Sequence, residues 1–324
     1  MAINDLVRDF AIPAVQVADW HPEAESRTRE WVREFGMVRS EAACEHFDAI
    51  GAGRLSAWVY PEARPEVRDI VTDWLSWLFV LDDQCDEGAL GRDPGALDIL
   101  LEPLHAVLSG RTTSSAPLAR GLANICLRVR HHGTWWLRFR DHVRTYLLAC
   151  RWEASNRAAS RVPTLDAYIP HRRWAGSMLA TLDLTELATG DLLAEQDWIN
   201  PDYQEAVLAA ADVVCWTDDV VAVDKELARG DVHNLVIVLA NRHGVPWEKA
   251  IQTGKDMVAR REQDFLEAER RLLADDPAMW ERNLQGLRAW MRGHLDWGTE
   301  TARYREVDTS HGTPDYIEEL VLTP

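Results

Sequence analysis

Asp82, Asp83, Asp86 and Glu87 place four carboxylates within six positions, directly after the uncharged stretch 74–81. In a helix Asp82 and Asp86 lie one turn apart on one face, and Asp83 and Glu87 form a second pair beside them. Like charges at that spacing destabilise a helix, so an apolar rod ending this way calls for a compensating cation. Carboxylate oxygens without a neighbouring His or Cys set suit Mg²⁺ or Mn²⁺ rather than zinc. A second stretch, 216–226, puts Asp218, Ala222 and Glu226 at i, i+4, i+8, with Asp219 adjoining and Lys225 beside the last. Taken singly, each cluster reads equally as a solvated helix end or an exposed charge ladder. Val220, Val221, Ala222 and Val223 surround the second set and argue for a partly enclosed face.

Long rods must carry these clusters. Arg64-Pro65-Glu66 opens a helix that runs through Trp74, Trp77 and Phe79 to the first acidic set, and a helix over about 203–226 carries the second. Ser40 reads as the N-cap of a helix closing at Gly51, and Asp93-Pro94 begins another that closes near Gly110. Further helical segments are expected over 117–132, 134–158, from Pro163 with an interruption near Gly176, 235–241, 246–275 and 277–305. Residues 1–22, with two prolines, read as an extended N-terminal strap, and 306–324 as a polar C-terminal tail. No hairpin, repeat or linker is visible between them. The chain is therefore expected to be one all-α domain over 23–305, with more helices than a four-helix bundle holds.

Composition narrows the function. The 324 residues are 47% hydrophobic, enough for a substantial core. A net charge of −18 argues against nucleic acid and anionic membrane surfaces as partners. Five scattered cysteines without a C-x-x-C pair imply a reducing compartment and neither disulfides nor zinc. There is no basic region followed by an apolar run at the N-terminus, and no apolar stretch of membrane-spanning length. These features read as a cytoplasmic protein; they leave room for a homodimer.

The two acidic stretches together resemble the paired metal motifs of bacterial class I terpene synthases. Asp82-Asp83-Gln-Cys-Asp86-Glu87 resembles the DDxx(x)(D/E) motif at both of its spacings. Asp218-Asp219-Val-Val-Ala222-Val-Asp-Lys225-Glu226 resembles (N/D)Dxx(S/T/G)xx(K/R)E except at Ala222, where the hydroxyl ligand is missing. In between, Arg172 in His171-Arg-Arg-Trp-Ala-Gly176 resembles the diphosphate-sensing arginine, with Gly176 at the effector position of a broken helix. Trp152-Glu153 resembles the segment carrying a cavity glutamate, Gly230-Asp-Val-His-Asn234 the segment after the second motif, and Arg303-Tyr304 the terminal Arg-Tyr pair.

That resemblance implies a single-domain helical bundle around a central cavity, three Mg²⁺ (or Mn²⁺), and a linear prenyl diphosphate, farnesyl diphosphate first. Metal ligands would come from Asp82, Asp83, Asp86, Glu87, Asp218 and Glu226. Asp86 and Glu87 compete for one ligand place, and Asp83 would pair with Arg303. Water would fill the ligand place at Ala222, since Mg²⁺ readily keeps waters. Arg172, Lys225, Arg303 and Tyr304 would bind the diphosphate. Phe79, Leu75, Trp152, Glu153 and Trp297 would line the cavity, where π faces stabilise a carbocation. Two other functions share the pattern: a chain-elongating prenyl diphosphate synthase, and a non-catalytic diphosphate-binding helical protein with a decayed metal site. The Lys225-Glu226 form of the second motif and the Arg-Tyr pair favour the synthase that ionises and cyclises. His131, His132 and His171 receive no catalytic role.

Overall fold

The computed structural model describes residues 2–86, 89–111, 114–301 and 303–304, without the side chains of Ala2, Asp86 and Ala89. Fifteen α-helices and one 3₁₀ turn, and no strand, occur among them. In chain order the helices are α1 (Ala2–Asp9), α2 (His21–Glu34), α3 (Glu41–Ile50), α4 (Ala52–Val59), α5 (Pro65–Asp86), α6 (Pro94–Leu108), α7 (Pro117–Val129) and α8 (Gly133–Ala158). There follow α9 (Leu165–Ala175), α10 (Met178–Thr189), α11 (Glu195–Trp198), α12 (Pro201–Arg229), α13 (Leu235–His243), α14 (Trp247–Asp275) and α15 (Pro277–Gly298). None of them is long and apolar enough to cross a membrane.

Capping chemistry sets most of the boundaries. Ser40, Asp93, Thr164, Asn200, Asn234 and Asp276 each accept a backbone N–H of the helix they begin. Gly230 ends α12 in the left-handed region, which releases the chain toward α13. The interruption expected near Gly176 is present: α9 ends at Ala175, and Ser177 takes a left-handed φ of 53° before α10 begins.

Tryptophans tie the rods together. Trp74 donates to Thr181 Oγ1 at 3.0 Å, Trp77 to the Leu118 carbonyl at 2.9 Å, Trp135 to the Asp183 carbonyl at 2.9 Å and Trp297 to the Ile50 carbonyl at 3.2 Å. Each large apolar body is buried while its one donor bonds across to another element. α12 lies along α14 and also packs on α9, α10, α13 and α15; α5 stands across the cavity, packed on α2, α4, α7 and α10.

Three expectations need correction. The strap is not extended throughout: 2–9 form α1, because Leu6 is buried and Ile3 and Val7 pack against the core. The unanticipated helix α4 is only eight residues long and restarts directly after Gly51, which ends α3 in the left-handed region. The last long helix stops at Gly298 instead of 305. Tyr304 folds back onto it: a Cβ on Gly298 would sit 3.2 Å from Tyr304 Cε2 and 2.7 Å from Ile3 Cδ1. The tail from 306 onward lies outside the described residues.

Where α15 crosses α4, Gly293 meets backbone: an added Cβ would lie 2.5 Å from the Trp58 carbonyl oxygen. Gly293→Ala is expected to lower stability by about 1–3 kcal/mol, the usual range for overpacking, read as a lower urea midpoint at unchanged slope.

Candidate active site

The last turn of α5 carries Asp82, Asp83 and Asp86. Asp82 is half-buried and receives a charge-assisted hydrogen bond from Arg303 Nη2. Asp83 is buried, and both its oxygens are taken: Oδ1 accepts from Arg303 Nη1 at 2.9 Å, and Oδ2 faces His46 Nε2 at 3.0 Å. Burial would raise its pKa, but Arg303 and His46 outweigh it and hold the carboxyl below its usual range. Asp83 therefore tethers Arg303, the pairing that the family resemblance implies. The Asp86 side chain and Glu87 lie outside the described residues.

On α12, Asp218 is held by Arg172 Nη2 at 2.7 Å and by the Tyr304 hydroxyl at 2.7 Å. Burial would raise its pKa; Arg172, His294 and Tyr304 bring it below the usual range. Asp219 points into protein, accepting from Arg172 Nε at 2.9 Å, the Leu235 N–H at 3.0 Å and the Tyr168 hydroxyl. Burial pushes its carboxyl up to about 6 despite those donors. Glu226 accepts from Asn234 Nδ2 at 2.8 Å, and burial together with Asp219, Asp231 and Asp218 raises its pKa well above normal. Asn234 also donates to the Asp219 carbonyl at 2.7 Å and caps α13, so one side chain ties both ends of the motif.

These faces meet. Asp82, Asp218, Glu226, Lys225 and Arg303 line one polar recess. It adjoins a cavity with which it shares Asp82, Arg172, Asp218, Arg303 and Tyr304 at the rim. Leu75, Phe79, Gly176, Val214, Trp290 and Trp297 are among its walls. Arg303 stands over the Phe79 ring at 4.9 Å, and Trp297 is 5.9 Å from that ring. Lys225 Nζ donates to the Arg303 carbonyl at 3.2 Å, tying the second motif to the Arg-Tyr segment.

Trp152 does not line the cavity. It stacks on His171 at 4.1 Å and lies 5.1 Å from His233, so it packs outside α9. Glu153 reaches the polar recess and not the apolar wall; its partner there is Arg157, at 3.4 Å. Several participants escaped the sequence reading. Arg157 is buried and joins Asp231 to the Cys85 carbonyl on α5. Tyr168 and His46 orient Asp219 and Asp83. His294, made a weaker base by burial, sits 3.3 Å from the Tyr304 hydroxyl. Tyr168 stands four positions before Arg172 and Arg157 four after Glu153, spacings that put each on the face of a residue already singled out.

The donor set suits a hard divalent cation. Among the described residues no three His, Cys, Asp or Glu side chains converge as a ready-made cage. Instead Arg303 and Arg172 stand against Asp82 and Asp218, and Glu226 is left among repelling carboxylates. Bound cations would relieve that repulsion, and carboxylate oxygen is the donor Mg²⁺ and Mn²⁺ prefer.

Comparison with known proteins agrees. The family model described as terpene synthase family 2, C-terminal metal binding, matches residues 73–264. (−)-Delta-cadinene synthase of Streptomyces clavuligerus is 35% identical over 308 residues, covering 90% of this chain and 92% of that enzyme. (+)-T-muurolol synthase of Roseiflexus castenholzii is 33% identical over 284 residues, covering 86% and 87%. Among solved structures, the T181N variant of cucumene synthase superposes with a TM-score of 0.78 at 27% identity, over 92% of this chain and all of that one. Linalool/nerolidol synthase from Streptomyces clavuligerus superposes with a TM-score of 0.79 at 24% identity, over 90% of this chain and 100% of that one, a likeness of fold. With its helices, its cavity and its two facing carboxylate sets, the chain belongs to the terpene synthase family: it is a class I terpene synthase with a divalent-metal-binding domain.

Proposed function

We propose that this enzyme ionises (2E,6E)-farnesyl diphosphate with three Mg²⁺ ions and converts the allylic cation to a cyclic sesquiterpene, releasing diphosphate. One observation carries the reading: Asp82 and Glu226, far apart in the chain, line the same recess above an apolar cavity. The T-muurolol synthase relative is named for cyclising farnesyl diphosphate, which supports the choice of substrate. Five free, buried cysteines fit a reducing, cytoplasmic setting.

Asp82, Asp218 and Glu226 would hold the metal ions. Ala222 faces the same recess and offers no oxygen, leaving that ligand place to water. When bound, the ions supply positive charge to the leaving diphosphate oxygen. Arg172, Lys225 and Arg303 add charge-assisted hydrogen bonds to the diphosphate, and the Tyr304 hydroxyl adds another. Arg172 and Arg303 must first release Asp218 and Asp82, so the same guanidiniums serve the carboxylates in the free enzyme and the substrate in the loaded one. Asp219 keeps its bond to Arg172 Nε throughout, because its carboxylate faces Tyr168 and Leu235 and not the recess. The prenyl chain lies among Leu75, Phe79, Val214, Trp290 and Trp297, which exclude water and present π faces to the cation. Diphosphate can take the proton lost when the hydrocarbon forms.

With farnesyl diphosphate and Mg²⁺, gas chromatography should detect volatile C15 products. EDTA should abolish them and added Mg²⁺ restore them. Longer soluble diphosphates formed only with isopentenyl diphosphate would identify a chain-elongating enzyme instead. Ala222→Ser should keep turnover within about tenfold of the unsubstituted enzyme and lower the Mg²⁺ concentration for half-maximal rate, since a hydroxyl replaces a water ligand. A collapse of Mg²⁺-dependent turnover in that variant would contradict the water-filled place. Asp219→Asn should cut the rate of diphosphate release about 10²-fold by loosening Arg172; an unchanged rate would remove Asp219 from the mechanism.

A further inference from the structure

Two adjacent arginines on α9 face α12, and the reaction proposed above uses only the first. Arg173 forms a two-pronged ion pair with Asp212: Nε to Oδ1 at 2.6 Å and Nη2 to Oδ2 at 2.7 Å. Asp212 is buried, and Arg261 of α14 gives its Oδ2 a third N–H at 2.9 Å. The remaining charge on Arg261 meets Glu205 at 2.5 Å and Asp264 at 2.8 Å. The Asp212 carboxylate is thus fixed from two sides and ties three helices.

Asp212, Cys215 and Asp219 follow at i, i+3, i+7, one stripe along α12. Arg173 binds the first and Arg172 the last. Between them, Cys215 Sγ lies 3.5 Å from the Arg172 carbonyl, and a Cβ on Gly176 would come within 3.0 Å of that sulfur. The Gly176 N–H in turn donates to the Arg172 carbonyl at 2.9 Å. The end of α9 and the break that follows therefore rest along two turns of α12, held at both ends and touching in the middle. Of these ties, the one from Arg172 to Asp218 must open when diphosphate arrives. The ties to Asp219 and Asp212 face away from the recess and can persist.

We propose that Asp212 is a positioning residue: through Arg173 it fixes the angle of α9 on α12, and so keeps Arg172 and the Gly176 break in register with the metal-binding face during turnover. The inference rests on the terpene synthase reaction proposed above. Removing one partner of any buried ion pair destabilises the protein, so stability alone cannot distinguish positioning from plain support. Asp73 supplies the matched comparison. It is fully buried, it is ion-paired with Arg27 of α2 and Arg128 of α7, and it lines neither cavity nor recess.

Asp212→Asn, Arg173→Met, Arg173→Lys and Asp73→Asn would be compared with the unsubstituted enzyme. The readouts are product shares from farnesyl diphosphate, calorimetric affinity for inorganic diphosphate with Mg²⁺, and melting temperature. Asp212→Asn and Arg173→Met should each weaken diphosphate binding roughly tenfold and redistribute the products, because small misplacements of a positioning group are costly. Arg173→Lys should recover part of both. Asp73→Asn should lower the melting temperature comparably while leaving affinity and product shares within about twofold. The proposal is overturned if Asp212→Asn and Arg173→Met keep their product shares and diphosphate affinity, or if Asp73→Asn reproduces their changes. Should Asp212→Asn not fold, Arg173→Met decides, since it leaves Asp212 bonded to Arg261. Absence of any turnover in the unsubstituted enzyme would sink the functional reading as well, an outcome distinct from normal turnover in insensitive variants.

Discussion

Carboxylates at the ends of two buried rods repel one another, and the rest of the molecule is arranged around that repulsion. Inside protein, where screening is weak, a cluster such as Asp218, Asp219 and Glu226 is tolerable only with positive charge close by. The free enzyme supplies it from its own chain, with Arg172 against Asp218 and Asp219 and Arg303 against Asp82 and Asp83. Each of these arginines holds one carboxylate that faces the recess and one turned away from it. The inward carboxylate is available for exchange, and the outward one keeps the guanidinium in place. A site of this kind needs two adjacent acids in each motif even if only one of them ever meets a metal ion.

That arrangement also accounts for two breaks in the helices. Arg172 reaches α12 from the last turn of α9, and the break that follows turns the chain into α10 with Gly176 N–H bonded to the Arg172 carbonyl. Arg303 and Tyr304 reach the mouth because α15 stops at Gly298 and the chain returns over Trp297, 6.0 Å from the Tyr304 ring. A continuous helix to 305 would have carried both side chains away from the recess. The cavity below stays open because its walls are braced from outside: the Trp74–Thr181, Trp77–Leu118 and Trp135–Asp183 hydrogen bonds fix α5, α7, α8 and α10 relative to one another. Without such braces, walls around an apolar void would tend to close on it, since every gap forfeits dispersion contacts.

The legible parts of the site were those whose chemistry follows a helical period. Asp82, Asp218 and Glu226 could be read from spacing, because acids at i and i+4 next to apolar residues are costly unless used. Of the helices bearing them, α5 was equally visible through Pro65, and α12 through the mostly apolar run that precedes its acids. Roles decided by long-range contact were hidden. Nothing local distinguishes Asp83, turned to His46 and Arg303, from Asp82, turned to the recess; only the family resemblance pointed to the pairing of Asp83 with Arg303, and His46 went unread. Trp152 adjoins Glu153 in sequence, yet successive helix positions point about 100° apart, and Trp152 therefore packs on His171 instead of reaching the cavity. Helix α4 was missed because it is short and follows at once on Gly51, a glycine that signals a helix end and gives no sign of a new helix beginning.

Ala222 shows how far local repair can go. The hydroxyl absent from that position would have contributed one neutral oxygen donor; it would not have positioned Glu226. Glu226 is oriented by Asn234, which is itself held by capping α13 and by donating to the Asp219 carbonyl. Orientation of Glu226 is therefore independent of the residue at 222, and losing the hydroxyl would remove a donor without loosening its neighbours. Water can replace a neutral donor on Mg²⁺, whereas it cannot replace a buried carboxylate whose charge offsets the cation. On that physical ground the proposed metal site is expected to accept alanine at 222 but not an apolar residue at 218 or 226.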